Sequence, residues 1–110
     1  MGFFNLFAKG DPGPDINEVS AWLKGPAVLL DVRDPQEYAA GHLPGSINLP
    51  VSELSRIREL APDLTAPVFV YCLTGNRSRR AVRTLKNMGY ANVRNVGGIR
   101  AYKGPLERRK

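Results

Sequence analysis

A lone cysteine, a glycine and a run of arginines sit close enough to cooperate in Tyr71-Cys72-Leu73-Thr74-Gly75-Asn76-Arg77-Ser78, with Arg79 and Arg80 following. Cysteine reacts as its thiolate, and whatever stabilises that anion lowers the thiol pKa. The stretch follows the apolar run Pro67-Val68-Phe69-Val70-Tyr71 and precedes a helical pattern. It therefore reads as a loop from the carboxyl end of a buried strand into a helix N-terminus. Successive backbone N–H groups in such a loop can point at one sulfur, and the helix end adds a partial positive charge. Arg77 adds a full charge, and Gly75 permits backbone geometry that a side chain would obstruct. Such a cradle stabilises an anion at the sulfur: thiolate, persulfide or attacked oxyanion. A free cysteine ending a core strand is ordinarily inert. Here the loop, the glycine and the arginine favour a nucleophile.

The elements that must hold this loop alternate between strand and helix patterns. Residues 1–14 read as an arm or linker, with Phe3, Phe4, Leu6 and Phe7 ahead of the breakers Gly10 to Pro14. This apolar patch is too short to span a bilayer, and it is expected to pack on the domain body. Residues 15–110 read as one domain. Asp15 and Glu18 form a capping-box pattern opening a helix with Val19, Trp22 and Leu23 on one side, Trp22 in the core. The run from Ala27 to Val32 reads as a buried parallel strand, and Asp34-Pro35-Gln36-Glu37 as a second helix start. A short strand is expected over 47–49. A helix capped by Ser52 follows, carrying Leu54, Ile57 and Leu60. After the cysteine strand, residues 78–88 give an amphipathic helix with Ala81, Val82, Leu85 and Met88 inward and Arg79, Arg83 and Lys86 outward. Residues 93–96 supply a last strand before Gly97-Gly98. This order predicts an α/β fold with a parallel sheet and helices on both faces. Ligands bind such sheets outside the strands' carboxyl ends, where Cys72 lies.

Charge is unevenly placed in this 110-residue chain of net charge +6. From Arg77 onward eleven Lys/Arg face one acidic residue, Glu107, whereas residues 1–76 carry five basic and nine acidic residues. A basic helix and tail account for this as a solvated face. The same charge would also draw a small anion to the cysteine. Nucleic acid is a poor partner, because the basic stretch lacks interleaved aromatic residues and a binding motif. One Cys and one His, far apart, make no zinc set, so no metal is expected. Gly97-Gly98 lacks the spacing of a phosphate-binding loop, and no cofactor is expected. A single cysteine cannot form an internal disulfide, which favours a reducing cytoplasmic location.

Two stretches in fixed order carry a resemblance. Asp31-Val32-Arg33-Asp34-Pro35-Gln36-Glu37-Tyr38, followed by Gly41-His42-Leu43-Pro44-Gly45 and 46–50, resembles the first signature of the rhodanese family. Tyr71 to Ser78, with Leu85, Gly89-Tyr90, Asn92-Val93 and Gly97-Gly98, resembles the second. The resemblance covers roughly residues 15–103. It implies an open five-stranded parallel sheet and a Cys72 nucleophile. That nucleophile takes a sulfane sulfur from a small anionic donor such as thiosulfate, releases sulfite, and passes the sulfur to cyanide or a thiol. The backbone N–H groups of Leu73, Thr74, Gly75, Asn76, Arg77 and Ser78 would form the cradle, and Arg77 would meet the donor's sulfonate. Asp31 and Arg33 are expected to fix loops, with Arg33 paired to Glu37. Against the family pattern, Tyr102 stands where tryptophan is common. The sequence also runs out at 104–110 where the family often continues into a terminal helix, and one lip of the pocket is expected to be more open.

Three other functions remain at this point. The Cys-x5-Arg spacing of phosphatases and arsenate reductases is missed by one residue, since Arg77 follows Cys72 by five positions and Ser78 holds the sixth. A non-catalytic interaction module would share the fold without the chemistry. A protein-to-protein sulfur relay would use the basic helix to dock an acidic partner. His42, in a turn remote in sequence from Cys72, is a weak candidate acid or base, because an activated thiolate needs little help.

Overall fold

The structure, a computed structural model, describes residues 13–109. The expected packing of the N-terminal arm lies outside them for residues 1–12. Four runs form strands: β1 (Val28–Asp31), β2 (Ser46–Asn48), β3 (Val68–Cys72) and β4 (Val93–Gly98). They make one parallel sheet in the order β2-β1-β3-β4. Three α-helices accompany it: α1 (Pro35–Ala40), α2 (Ile57–Leu60) and α3 (Asn76–Asn87). The sheet therefore has four strands among the described residues rather than the five that the family resemblance implied. The apolar runs in the sequence number four as well. Among the described residues, the segment ahead of β1 lies over a sheet face instead of pairing at an edge, and the C-terminal tail makes one isolated bridge, His42 with Glu107.

β3 explains the central position of the cysteine. All five of its residues are buried, and alternate side chains serve opposite faces. Val68, Val70 and Cys72 join Leu54, Ile57, Ala81 and Leu85 beneath α2 and α3. Phe69 and Tyr71 join Ile16, Val19, Leu29, Leu43 and Val96 on the other side. Each such aliphatic or aromatic burial is worth about 1.5–3 kcal/mol. The first face carries α-helices. The second is covered by two 3-10 turns, Val19–Trp22 and Ile99–Ala101, and by loops.

Local chemistry shaped these elements, and in places shortened them. The capping box forms as expected: Asp15 Oδ1 accepts from the Asn17 and Glu18 amides, and Glu18 Oε1 accepts from the Asp15 amide. It opens only the 3-10 turn, however. Trp22 packs half-buried and edge-on against Phe69, with ring centroids 6.2 Å apart. The helix start at Asp34 to Glu37, with Pro35 in the first turn, appears as predicted, and the structure adds a capping box in which the Asp34 amide donates to Glu37 Oε1. The helix assigned to Ser52 starts instead after Pro50, as a 3-10 turn over Val51–Arg56 that breaks at Glu53 before α2. Proline fixes its own φ and begins the turn, and the break swings Leu60 outward to 39% exposure while Leu54 and Ile57 stay buried. No helix among the described residues is long and apolar enough to cross a membrane.

Candidate active site

Strand order sets the location. The chain leaves β1 to one side for β2 and to the other for β3, so β1 and β3 flank the switch point, and their carboxyl ends deliver Asp31 and Cys72. After Cys72, residues 73–75 turn into α3. Gly75 makes the turn with φ +104°, in the left-handed region that side chains disfavour. Helix α3 begins at Asn76, two residues earlier than its apolar pattern suggested, so Arg77 and Ser78 belong to its first turn.

That turn closes on the sulfur. Cys72 Sγ accepts from the Gly75 amide at 3.0 Å and from the Ser78 hydroxyl at 3.4 Å. Burial, with the residue only 1% exposed, pushes the thiol pKa up. The Ser78 hydroxyl, together with the Ser78, Gly75 and Thr74 amides, outweighs burial and holds the thiol below its ordinary value. The sulfur borders the apolar cluster on one side and is met by amides on the other. Of the six loop residues expected around it, Gly75 and Ser78 thus hydrogen-bond the sulfur directly. Leu73 instead anchors the loop: its carbonyl accepts from the Arg100 amide at 3.1 Å. Asn76 is exposed at the start of α3.

Arg77 is engaged elsewhere. Its guanidinium grips the Glu37 carboxylate with both arms, Nη1 to Oε1 at 2.8 Å and Nη2 to Oε2 at 3.0 Å. The Arg77 hydrogen bond is the main reason that the Glu37 pKa falls to about 2. Glu37 therefore does not pair with Arg33, contrary to the expectation from their neighbouring positions. Arg33 folds back on Asp31, with Nε to Oδ1 at 3.0 Å and Nη2 to Oδ2 at 2.7 Å, and its Nη2 also donates to the Gly41 carbonyl. The reason is topological. Glu37, on the first turn of α1, faces the start of α3, whereas Arg33 lies buried under the turn at Gly41. Asp31 pairs in register with Tyr71, so its side chain shares the face of Tyr71 and lies across the sheet from the cysteine sulfur.

His42 belongs to the tail rather than to the cysteine. Its Nδ1 meets the Tyr38 carbonyl at 2.7 Å, which requires the proton on Nδ1, and its ring stacks on Tyr38 at 3.7 Å. The His42 and Glu107 backbones exchange two hydrogen bonds of 2.9 Å, and the Arg109 amide donates to Ala39. The chain end thus lies along residues 39–42. Tyr102 donates from its hydroxyl to the Pro105 carbonyl at 3.0 Å.

One participant was not anticipated. Asn95 stands opposite Val70 on the cysteine face of the sheet. Its Oδ1 accepts from Ser78 Oγ at 2.8 Å and from the Gly97 amide at 2.9 Å, while its Nδ2 donates to the Gly75 carbonyl at 3.1 Å. It brackets both ends of the turn that holds the sulfur. The Ser78 hydroxyl has a single proton for Sγ, Asn95 Oδ1 and the Gly75 carbonyl, so its direction can change with the charge on sulfur. The ladder slips by one residue between Val70 and Tyr71, which leaves Val96 free to face the opposite core. Gly98 lies against the loop: a Cβ there would overlap the Leu73 carbonyl and the Thr74 Cα.

Comparison with known proteins agrees with this geometry. The family model described as Rhodanese-like domain matches residues 15–104. Thiosulfate sulfurtransferase PspE of Escherichia coli strain K12 is 42% identical over 72 residues, which is 64% of this chain and 69% of that protein. The YqhL protein of Bacillus subtilis strain 168 is 38% identical over 86 residues, 76% of this chain and 67% of that protein. Among solved structures, a rhodanese with anions from E. coli superimposes with a TM-score of 0.71 at 37% identity, covering 74% of this chain and 98% of its own. With an arginine-flanked cysteine turn at the switch point of a parallel sheet, and a family match over most of its length, the chain belongs to the rhodanese family.

Proposed function

We propose that the chain is a sulfurtransferase that carries one sulfur atom on Cys72. The supporting observation is the pair of donors on Sγ, the Gly75 amide at 3.0 Å and the Ser78 hydroxyl at 3.4 Å, which favour the thiolate despite burial. In the first half-reaction the thiolate attacks the outer sulfur of thiosulfate. The Cys72 S–S bond forms, the donor's S–S bond breaks, and its electron pair leaves with sulfite. The persulfide that remains is again an anion, and the amides of Leu73 to Ser78 are the cradle proposed for it. In the second half-reaction cyanide or a thiolate attacks the outer sulfur, and Cys72 leaves as thiolate. Thr74 and Asn76 are exposed while Cys72 is covered, so reactants reach the sulfur through the loop rather than across the sheet. Arg77, held by Glu37, adds its charge to the field at the sulfur.

A protein persulfide is a second donor that one observation favours. Arg79, Arg80, Arg83 and Lys86 are all exposed on α3, the helix that starts at the loop, and present a face for an acidic carrier. Phosphatase chemistry fits less well. The position that would hold its arginine is Ser78, buried against Asn95, and the Arg77 fork is already filled by Glu37.

Intact-mass analysis after thiosulfate treatment tests the proposal. The parent should gain one sulfur atom that reductant removes, and Cys72→Ser should gain none. Phosphate-ester hydrolysis without such a gain would sink it.

A further inference from the structure

Glu37 occupies both arms of Arg77, so a guanidinium with its fork open to an anionic donor lies elsewhere. On the opposite flank of the loop, Leu73, Thr74, Gly98, Arg100 and Ala101 line an open cleft of about 290 Å³. Its floor adjoins the nucleophile, because Gly98 is the ladder partner of Cys72. Its wall is fixed to the loop by the Arg100 amide, which donates to the Leu73 carbonyl at 3.1 Å. Gly98 keeps the cleft's floor and the loop in contact, since any side chain there would strike Leu73 and Thr74. The Arg100 guanidinium is exposed and has no ion-pair partner among the described residues. Leu73 and Ala101 give the cleft an apolar side.

We infer that Arg100 is the substrate-binding residue for the anionic head of the sulfur donor, a sulfonate or carboxylate, and that the cleft beside Leu73 and Thr74 receives that head while the donor's sulfane sulfur meets Cys72. The inference rests on the sulfurtransferase reading and adds the residue and the cleft that receive the donor's anionic head. A planar guanidinium grips two oxygens of such a head with charge-assisted hydrogen bonds. Glu37 already fills that geometry on Arg77, whereas Arg100 has it available.

Two donors and a matched charge deletion test this. Sulfur loading of Cys72 is followed by intact mass and initial rates, with thiosulfate as the anionic donor and dimethyl trisulfide as the uncharged one. From the latter the central sulfur passes to the Cys72 thiolate, first as a mixed trisulfide with methanethiolate released. That methanethiolate then takes the remaining methylthio group away as dimethyl disulfide to leave the persulfide. Arg100→Ala should raise the thiosulfate KM about tenfold and leave kcat within about twofold, as expected for one lost charge-assisted pair. Loading from dimethyl trisulfide should be unchanged, and Arg100→Lys should recover part of the lost thiosulfate affinity. Lys24→Ala, which removes the same charge from the exposed turn ahead of β1, should leave the thiosulfate KM close to the parent's. Arg100→Gln keeps the length of the stem and repeats the measurement should the alanine variant fold poorly. Equal thiosulfate effects from Arg100→Ala and Lys24→Ala would reduce Arg100 to part of a general field and overturn the subsite. An equal loss with both donors in the Arg100 variants would assign the residue to loop structure and overturn it as well. A parent that takes sulfur from neither donor would remove the sulfurtransferase reading together with the inference.

Discussion

Arg33–Asp31 and Arg77–Glu37 are both forked pairs beyond the carboxyl ends of neighbouring strands, yet one is sealed and the other stands half open. The Arg33 and Asp31 side chains are 6% and 0% exposed, and Asp31 also accepts from the Arg33 amide. Each charge there is neutralised within two residues of chain, and the remaining Arg33 arm holds the Gly41 turn. The Arg77 and Glu37 side chains are both 31% exposed, and the pair ties α1 to α3 beside the cysteine. On β1 every strong donor has found an acceptor, so that end is scaffold. On β3 several donors converge on one sulfur atom, so that end is poised to hold negative charge. The same residue types build a neutralised corner and one that can hold an anion, and the difference is the count of donors over acceptors at each end.

The largest break in this contrast should come from Arg33→Met. It leaves the Asp31 carboxylate buried without its partner and should cost about 3–5 kcal/mol in a urea titration. In the fraction still folded, the pH profile of Cys72 alkylation should stay where it is, because Asp31 lies across the sheet. A larger change in that profile than in stability would erase the division between scaffold and site. Ser78→Ala should do the opposite. Loss of the hydroxyl should cost about 1 kcal/mol of stability, while the alkylation midpoint moves to higher pH because the strongest donor to the thiolate is gone. An unmoved midpoint would mean that the amides alone set the thiol's acidity.

The smallest effect belongs to the half-open pair. Glu37→Gln should cost about 0.5–1 kcal/mol near neutral pH, the range for a solvent-screened pair. The sign follows from the Glu37 pKa, about 2 when folded against an ordinary 4.5. A carboxylate with a depressed folded pKa adds stability above its unfolded value and loses it as pH falls through the folded one. Parent and variant should therefore differ above about pH 4.5 and converge toward pH 2, which thermal unfolding across that range checks.

Much of the site was legible because it is contiguous. A buried strand, a glycine at a left-handed turn and a helix start stand side by side from Val68 to Ser78, and a strand-to-helix loop aims its amides locally. Asn95 was not legible in this way. Its one signal was an amide that strands disfavour, set between Val93 and Val96, and such a residue is as easily a solvated edge position. The partners of the arginines were equally hidden, since an arginine two residues from one carboxylate and four from another can reach either.

The sequence alone determined the alternation of elements, the four apolar strands, the place of Cys72 at a strand end and the family signatures around it. All of these are periodicities or neighbour relations along the chain. Tertiary structure alone decided that Glu37 would meet Arg77 across 40 residues, that Asn95 would lie under the turn, and that Arg100 would face the cleft beside it. Those contacts depend on which loops finish next to one another, and the order β2-β1-β3-β4 with its one-residue slip in β4 is a property of the packed sheet that no local pattern encodes.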